Sequence, residues 1–294
     1  MPLCTLHLIA LDPTQPRAQQ SFLSALKATT ISPLVLSRVI RWIILPSTLS
    51  TEHLLARNAR WDFLLILEGP AAPLPPSLQP HIRLTWSITA GVPSRLTQDF
   101  AARNRKMLQA VPPGGTKAAN DAALGTTEET TTTPTTPPSS SSPPPSAQSL
   151  ELSSGLRDWI RGFVAGGGEE ARGAVSMLNL LSFRPGRKGS YLEYGRAFAS
   201  SVGASHGGDA KIVGGVTHTN GSPRGQNARD GEGWDEIALA HYPSTLHFAA
   251  MLSDPRYQEV NHKYRLPALR DTAILMTSEV ACGLEGEGLL EARL

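Results

Sequence analysis

The chain has 294 residues, 40% of them hydrophobic and 18% charged, and its 27 basic and 25 acidic residues leave a net charge of +2. That length accommodates two ordinary domains, and so even a charge balance gives no electrostatic ground for a nucleic-acid partner. No stretch reaches the roughly 18 apolar residues of a membrane span, and the opening MPLCTLHLIALDP lacks the basic lead and long apolar run of a secretory signal, so the expected setting is cytoplasmic with no membrane partner.

In chain order, LCTLHLIAL (3–11) alternates and reads as a strand. Pro16 then opens a helix that places Ala18, Phe22 and Leu26 on one face. LVLSRVIRWIIL (34–45) and WDFLLILEG (61–69) are rich in β-favouring residues and suit antiparallel partners. AAPLPPSLQP (71–80) stands where a second helix belongs but holds too many prolines for more than one short turn. HIRLTWSITAG (81–91) closes the set, and Ser94 or Thr97 caps a helix running to about Leu108.

From Pro112 to Gln148 periodicity is lost. The tract TTEETTTTPTTPPSSSSPPPSAQ has no large apolar side chain, so it cannot bury enough surface to offset the entropy of ordering its backbone. Residues 112–150 are expected to be a disordered tether between a unit at 1–111 and a unit at 151–294.

The second unit opens with a helix whose Leu156, Trp159, Ile160, Phe163 and Val164 form one apolar stripe, ended by Gly166 to Gly168. AVSMLNLLSF (174–183) is a strand. Ser190 and Glu193 read as a capping box for a helix with Tyr191, Tyr194, Phe198 and Val202 turned inward. THTNGSPRGQNARDGEG (217–233) reads as a long polar loop, a length that in compact domains is usually functional or disordered. Ser244 caps one short helix, Asp254 with Pro255 starts another, and TAILMTSEV (272–280) is the closing strand. Both units follow the order βαββαβ, weakly in the first, which points to a ferredoxin-like α+β fold. That order does not name an activity. Cys4 and Cys282 stand alone at opposite ends and read as reduced thiols.

MLNLLSFRPG, SYLEYGRAF, WDEIALAHYPS and MLSDPRYQEVNHKYRLPALRDT together resemble the domain-of-unknown-function 1330 type of the dimeric α/β-barrel superfamily, over about residues 175–280. The markers are the strand around Asn179, the turn Tyr242 to Ser244 and the D-P-x-Y element Asp254 to Tyr257. The resemblance implies two sheets facing each other as a barrel with a small-molecule pocket in or beside it. A chain with two units could build that pair within itself as an internal pseudo-dimer, or form a homodimer. It also implies relatives that are cofactor-independent monooxygenases, isomerases or haem enzymes, without fixing a reaction for this family.

Five residues stand out as candidate ligand contacts. Asn179 sits mid-strand between leucines, either as a hydrogen-bonding group facing a ligand or as an amide bonded to neighbouring backbone. Tyr194 and Trp234 suit an apolar pocket with a polar edge, or an ordinary core. His241 ends a strand and His262 lies near the last helix; both could move protons or sit on the surface. No histidine or cysteine spacing matches a metal motif, GRKGS is not a phosphate loop, and VGGV does not fit the dinucleotide pattern. The expected function is binding of a small, mostly apolar molecule in the second unit, without metal or cofactor, with oxygenation or isomerisation as the favoured chemistry. The alternative is a non-enzymatic protein that associates through its sheet.

Overall fold

The computed structural model describes residues 1–49, 54–55, 59–109, 147–225 and 233–282. Among them nine strands form a single antiparallel sheet: β1 (Leu3–Leu11), β2 (Val35–Ile44), β3 (Phe63–Glu68), β4 (Ile82–Gly91), β5 (Val175–Phe183), β6 (Asp209–Thr219), β7 (Ser222–Pro223), β8 (Glu236–Tyr242) and β9 (Leu269–Ser278). The spatial order is β4-β1-β3-β2-β9-β5-β8-β6-β7, and β4 also pairs with β6, so the eight long strands make a circuit that returns on itself. Residues 3–91 contribute their strands in the order fourth, first, third, second. Residues 175–278 repeat that order once the two-residue β7 is set aside. Both junctions, β2 with β9 and β4 with β6, are antiparallel.

Alternation decides which side chains fill the circuit. Cys4, Leu6, Leu8 and Ala10 of β1, Leu64 and Ile66 of β3, and Leu178 and Leu180 of β5 join one inner cluster with Trp86, Ile237, Leu239 and Leu275. The intervening residues face outward under helices. On the first half Ile9, Leu11, Phe63 and Leu65 pack on Phe22 and Leu26 of α1 (Ala18–Lys27). On the second half Val175, Met177, Leu181 and Phe183 pack beneath Tyr191 and Tyr194. Each outer cluster borrows from the other half: Cys282 packs among the first half's side chains and Ile44 among the second's. Both thiols are free and buried. Burial pushes Cys4 up to about 11 and Cys282 up to about 12, so neither is a thiolate at neutral pH.

The remaining α-helices of more than four residues are α2 (Phe100–Gln109), α3 (Ser154–Ala165), α4 (Lys188–Ala197), α5 (Thr245–Ser253) and α6 (Pro255–Val260), among the described residues. Their starts follow the sequence where a side chain caps them: Ser153, Ser244 and Asp254 each accept from a backbone N–H of the first turn. Three expectations need correction. The helix after β4 is split, because Asp99 takes φ +51° and separates the turn Ser94–Thr97 from α2. Ser190 and Glu193 form no capping box. The α4 helix begins at Lys188, the Ser190 hydroxyl donates to the Tyr264 carbonyl, and Glu193 pairs with Arg196. The polar run from 217 is not all loop. Asn220 and Gly221, at φ +47° and +77°, make the tight turn of a hairpin between β6 and β7. Residues 226–232 of that run lie outside the described residues.

The hairpin extends β6 far enough for Ile88 and Thr89 to pair with Thr219 and His218. Asn220 fixes the contact by exchanging hydrogen bonds with the backbone of Ser87. Further along, Gly214 of the VGGV run lets the strands close: a Cβ there would stand 2.9 Å from the Gly91 carbonyl oxygen. No helix among the described residues is long and apolar enough to cross a membrane.

Most of the expected tether, residues 112–146, lies outside the described residues, but its end is placed. Ala147–Ser149 form one turn, and Gln148 donates to the carbonyls of Leu45 and Thr272 and to Asp271. Asp271 also accepts the backbone N–H groups of Ser47, Thr48, Leu49 and Thr272 at 2.7–3.1 Å. Burial alone would push this carboxyl up, but the N–H groups of Leu49, Ser47 and Thr48 hold it below its ordinary value. Asp271→Asn is expected to lower stability at neutral pH by about 1–3 kcal/mol. The difference between variant and wild type should shrink once pH falls below about 4, where protonation removes the depressed carboxylate's contribution. Urea melts at pH 7 and pH 3 check this.

Candidate functional site

The outer face of β5 and β8 carries the densest polar and aromatic grouping of the second half. Asn179 faces outward with Met177 and Leu181, opposite Ala238 on β8 and Ile274 on β9. Its Nδ2 donates to the carbonyls of Met177 (2.9 Å) and Ala238 (3.3 Å), while no hydrogen bond reaches its Oδ1 among the described residues. Both strands are central, yet Asn179, Ala238 and Ala240 keep part of their surface open, whereas Leu178, Leu180, Ile237 and Leu239 are buried. The part-open positions of β5 and β8 are thus a short amide and two alanines, small side chains on the face that the aromatic cluster covers.

The walls are aromatic. Tyr191, Tyr194 and Phe198 point inward from α4 and the π-helical turn that follows it. The α4 helix brings Tyr191 and Tyr194 to a centroid distance of 5.3 Å. Tyr194 meets Tyr257 of α6 edge-on at 6.4 Å, with their hydroxyls 3.2 Å apart. Tyr242 of β8 stands against Phe198 and Phe248, and its hydroxyl donates to the Met251 sulfur. Burial raises the pKa of all four tyrosines, so they stay protonated and able to donate.

One edge of the site is charged. Glu236 lies across from Leu181 on the same face as Asn179, and Lys188 at the start of α4 approaches it at 3.2 Å. Burial pushes the Glu236 carboxyl up, and Lys188 only partly opposes this. On the other side Arg265 is 1% exposed and lies close enough to act electrostatically on Tyr191, Tyr194, Tyr242 and Tyr257.

Of the five candidates from the sequence, the structure brings Asn179 and Tyr194 to the same side of the sheet. Trp234 belongs to the inner cluster on the opposite side. His241 ends the inner face of β8, next to Lys211, and its Nδ1 has no partner among the described residues. His262 is exposed and pairs with Glu151 at 3.1 Å. His206 and His247 are engaged with Asp254 and Ser244. Among the described residues no three His, Cys, Asp or Glu side chains gather to hold a metal ion. Glu236 and Arg265 were not singled out from sequence. The signal for Arg265 was there: Tyr257, Asn261 and Arg265 recur every fourth residue, the spacing of one buried helical stripe.

No family model and no curated protein matches the chain. Among solved structures, the chain is similar to RPA0582 from Rhodopseudomonas palustris, described as a protein of unknown function. That crystal structure matches at 24% identity over 43% of this chain and 93% of that one, with a TM-score of 0.34. The methylated form of RPA0582 matches at 26% identity over 43% and 91%, with a TM-score of 0.33.

Proposed function

We propose that the chain is an internally duplicated α/β-barrel protein, two ferredoxin-like units of the domain-of-unknown-function 1330 type paired within one molecule. In this reading it binds a small, mostly apolar molecule between the β5–β8 face and α4. The architectural part is supported by the repeated strand order and by the two antiparallel junctions that complete the circuit. The binding part rests on one observation above all: Asn179, Ala238 and Ala240 are the part-open positions of the otherwise buried strands β5 and β8. Apolar walls with a few convergent polar groups are the usual make-up of a small-molecule site. The competing idea, association through the sheet, finds its apolar inner face already covered within the chain.

Glu236 favours a catalytic extension of this reading. A carboxyl raised by burial exchanges protons more readily near neutral pH than an ordinary one. With tyrosine hydroxyls across the recess to hold a developing negative oxygen, isomerisation by proton transfer suits the site better than oxygenation.

Ala238→Leu is the direct test. It fills the recess with a side chain that belongs on a β-sheet face, so melting should move by only a few degrees. Binding of compounds that stabilise the wild type in a thermal-shift screen should weaken about tenfold or more, the effect of about 1.4 kcal/mol. Unchanged binding by this variant would place the ligand elsewhere. Asn179→Leu should likewise keep the fold and weaken binding, whereas a large loss of stability with binding intact would make the amide purely structural.

A further inference from the structure

Two cations are fully buried among the described residues, Lys211 and Arg265. Lys211 has a carboxylate partner in Glu279. Arg265 has none among the described residues. Its Nη1 reaches the Gln148 carbonyl at 3.4 Å and Asn261 Oδ1 at 3.5 Å, both at the limit of hydrogen bonding, and its Nη2 has no partner. A buried charge left this way is unfavourable, and proteins ordinarily pair it. Lys188 is engaged with Glu236 at 3.2 Å, so among the described residues Arg265 is the buried positive charge on this side of the sheet with no carboxylate of its own.

The tyrosines carry that charge toward the recess. In the Tyr194–Tyr257 pair one hydroxyl donates to the other, so the accepting hydroxyl still has its own proton to offer. Arg265 shares a buried helical stripe with Tyr257, and its turn is tied to α4, which carries Tyr194, by the Ser190 hydroxyl on the Tyr264 carbonyl, so its charge favours a negative group beside both rings.

Resting on the binding site proposed above, we infer that its ligand is an organic carboxylate, an apolar ring-sized body whose ionised group is held by the Tyr194–Tyr257 hydroxyls with Arg265 behind them. Arg265 acts as a positioning residue through the tyrosines, and the carboxylate supplies the charge that no described residue does. Alanine-lined space at Ala238 and Ala240 takes the apolar body, while Asn179 Oδ1 is open to a second polar substituent.

Calorimetric titration of 2-naphthoate and its uncharged methyl ester into the full chain, at constant ionic strength, tests this. The wild type should bind the acid about tenfold more tightly than the ester, the effect of a charge-assisted hydrogen bond. Arg265→Met should erase that preference by weakening the acid alone, and Arg265→Lys should restore part of it. Arg265→Met should also melt no lower than the wild type, because it removes an unpaired buried charge. Should that variant fail to fold, Tyr194→Phe gives a second reading, again weakening the acid and sparing the ester. Equal affinity for acid and ester, with both lost in Ala238→Leu, would overturn the carboxylate while leaving the recess as the site. An acid preference undiminished in Arg265→Met or in Tyr194→Phe would overturn the role of that residue pair. Binding of neither compound at millimolar concentration would overturn the recess and the carboxylate together.

Discussion

Glu279→Ala should destabilise the protein by about 3–5 kcal/mol, as expected when one member of a buried ion pair is removed and the other stays behind. Lys211 is 0% exposed and its ammonium pairs with Glu279, whose second oxygen accepts from Asn104 Nδ2 at 2.7 Å. Asn104 belongs to α2, and its neighbour Arg103 donates to the carbonyls of Leu96 and Lys211. The cluster therefore fastens α2 across the ends of β6 and β9, where the circuit of strands would otherwise open to water. Alanine at 279 strands an ammonium that has no path to solvent. Lys211→Met with Glu279→Gln removes both charges while keeping an acceptor for Asn104, and should recover most of the loss, since apolar replacement of a buried pair is often neutral. Urea denaturation of the two variants gives the comparison. A loss below about 1 kcal/mol for Glu279→Ala would mean that Lys211 reaches water by a small rearrangement.

Much of this fold was legible because alternation and capping are local. Phe22 and Leu26 identify the buried face of α1, and Ser244 and Asp254 mark helix starts, from side chains within a turn of the feature they predict. Ser190 misled for an equally physical reason. A serine three residues before a glutamate suits a cap, but the backbone can enter the helix one turn earlier and spend the hydroxyl on Tyr264. The hairpin at Asn220–Gly221 was readable from the dipeptide itself, had the surrounding polarity not suggested loop. Which face of β5 lies inside was not readable, because Leu178 and Leu180 on one side and Met177 and Leu181 on the other are equally apolar. Only pairing with β8 and β9 puts Asn179 outward, among the tyrosines, and puts Trp234 and His241 on the far side. Arg265 stayed hidden for a different reason. An arginine among His262, Lys263 and Tyr264 looks like a solvated basic face, and only the docking of α4 and the turn at Gln148 buries it.

Acidification from pH 6.5 to 4.5 should remove on the order of 3–5 kcal/mol of stability, most of it above about pH 5, where ordinary carboxylates are still ionised. Two buried histidines carry most of this, and burial with His206 nearby pushes the half-buried His247 in the same direction. His241 is pushed down to about 3, first by burial and then by Lys211 beside it, and burial pushes His7 down to about 4. Among the described residues Nδ1 of His241 and Nε2 of His7 have no partner, and a backbone hydrogen bond at Met107 only partly opposes the lowering of His241. Released into water, both rings regain an ordinary value near 6.5. Between that value and the folded one the unfolded chain binds more protons than the native chain, so stability is complete above about pH 6.5 and falls steadily as pH drops. Each histidine contributes about 1.4 kcal/mol per pH unit at most across its window. Glu236 runs the other way, since its raised carboxyl takes a proton more readily in the fold, and it offsets part of the loss. Asp271 acts only below about pH 4 and so does not blur the interval. Chemical denaturation at half-unit steps of pH reads the slope directly. His7→Gln with His241→Gln, which removes both titrating rings at similar volume, should flatten it. A slope unchanged in that double variant would show that the native chain protonates these rings without resistance, and that burial at the middle of β1 and the end of β8 is looser than their packing requires.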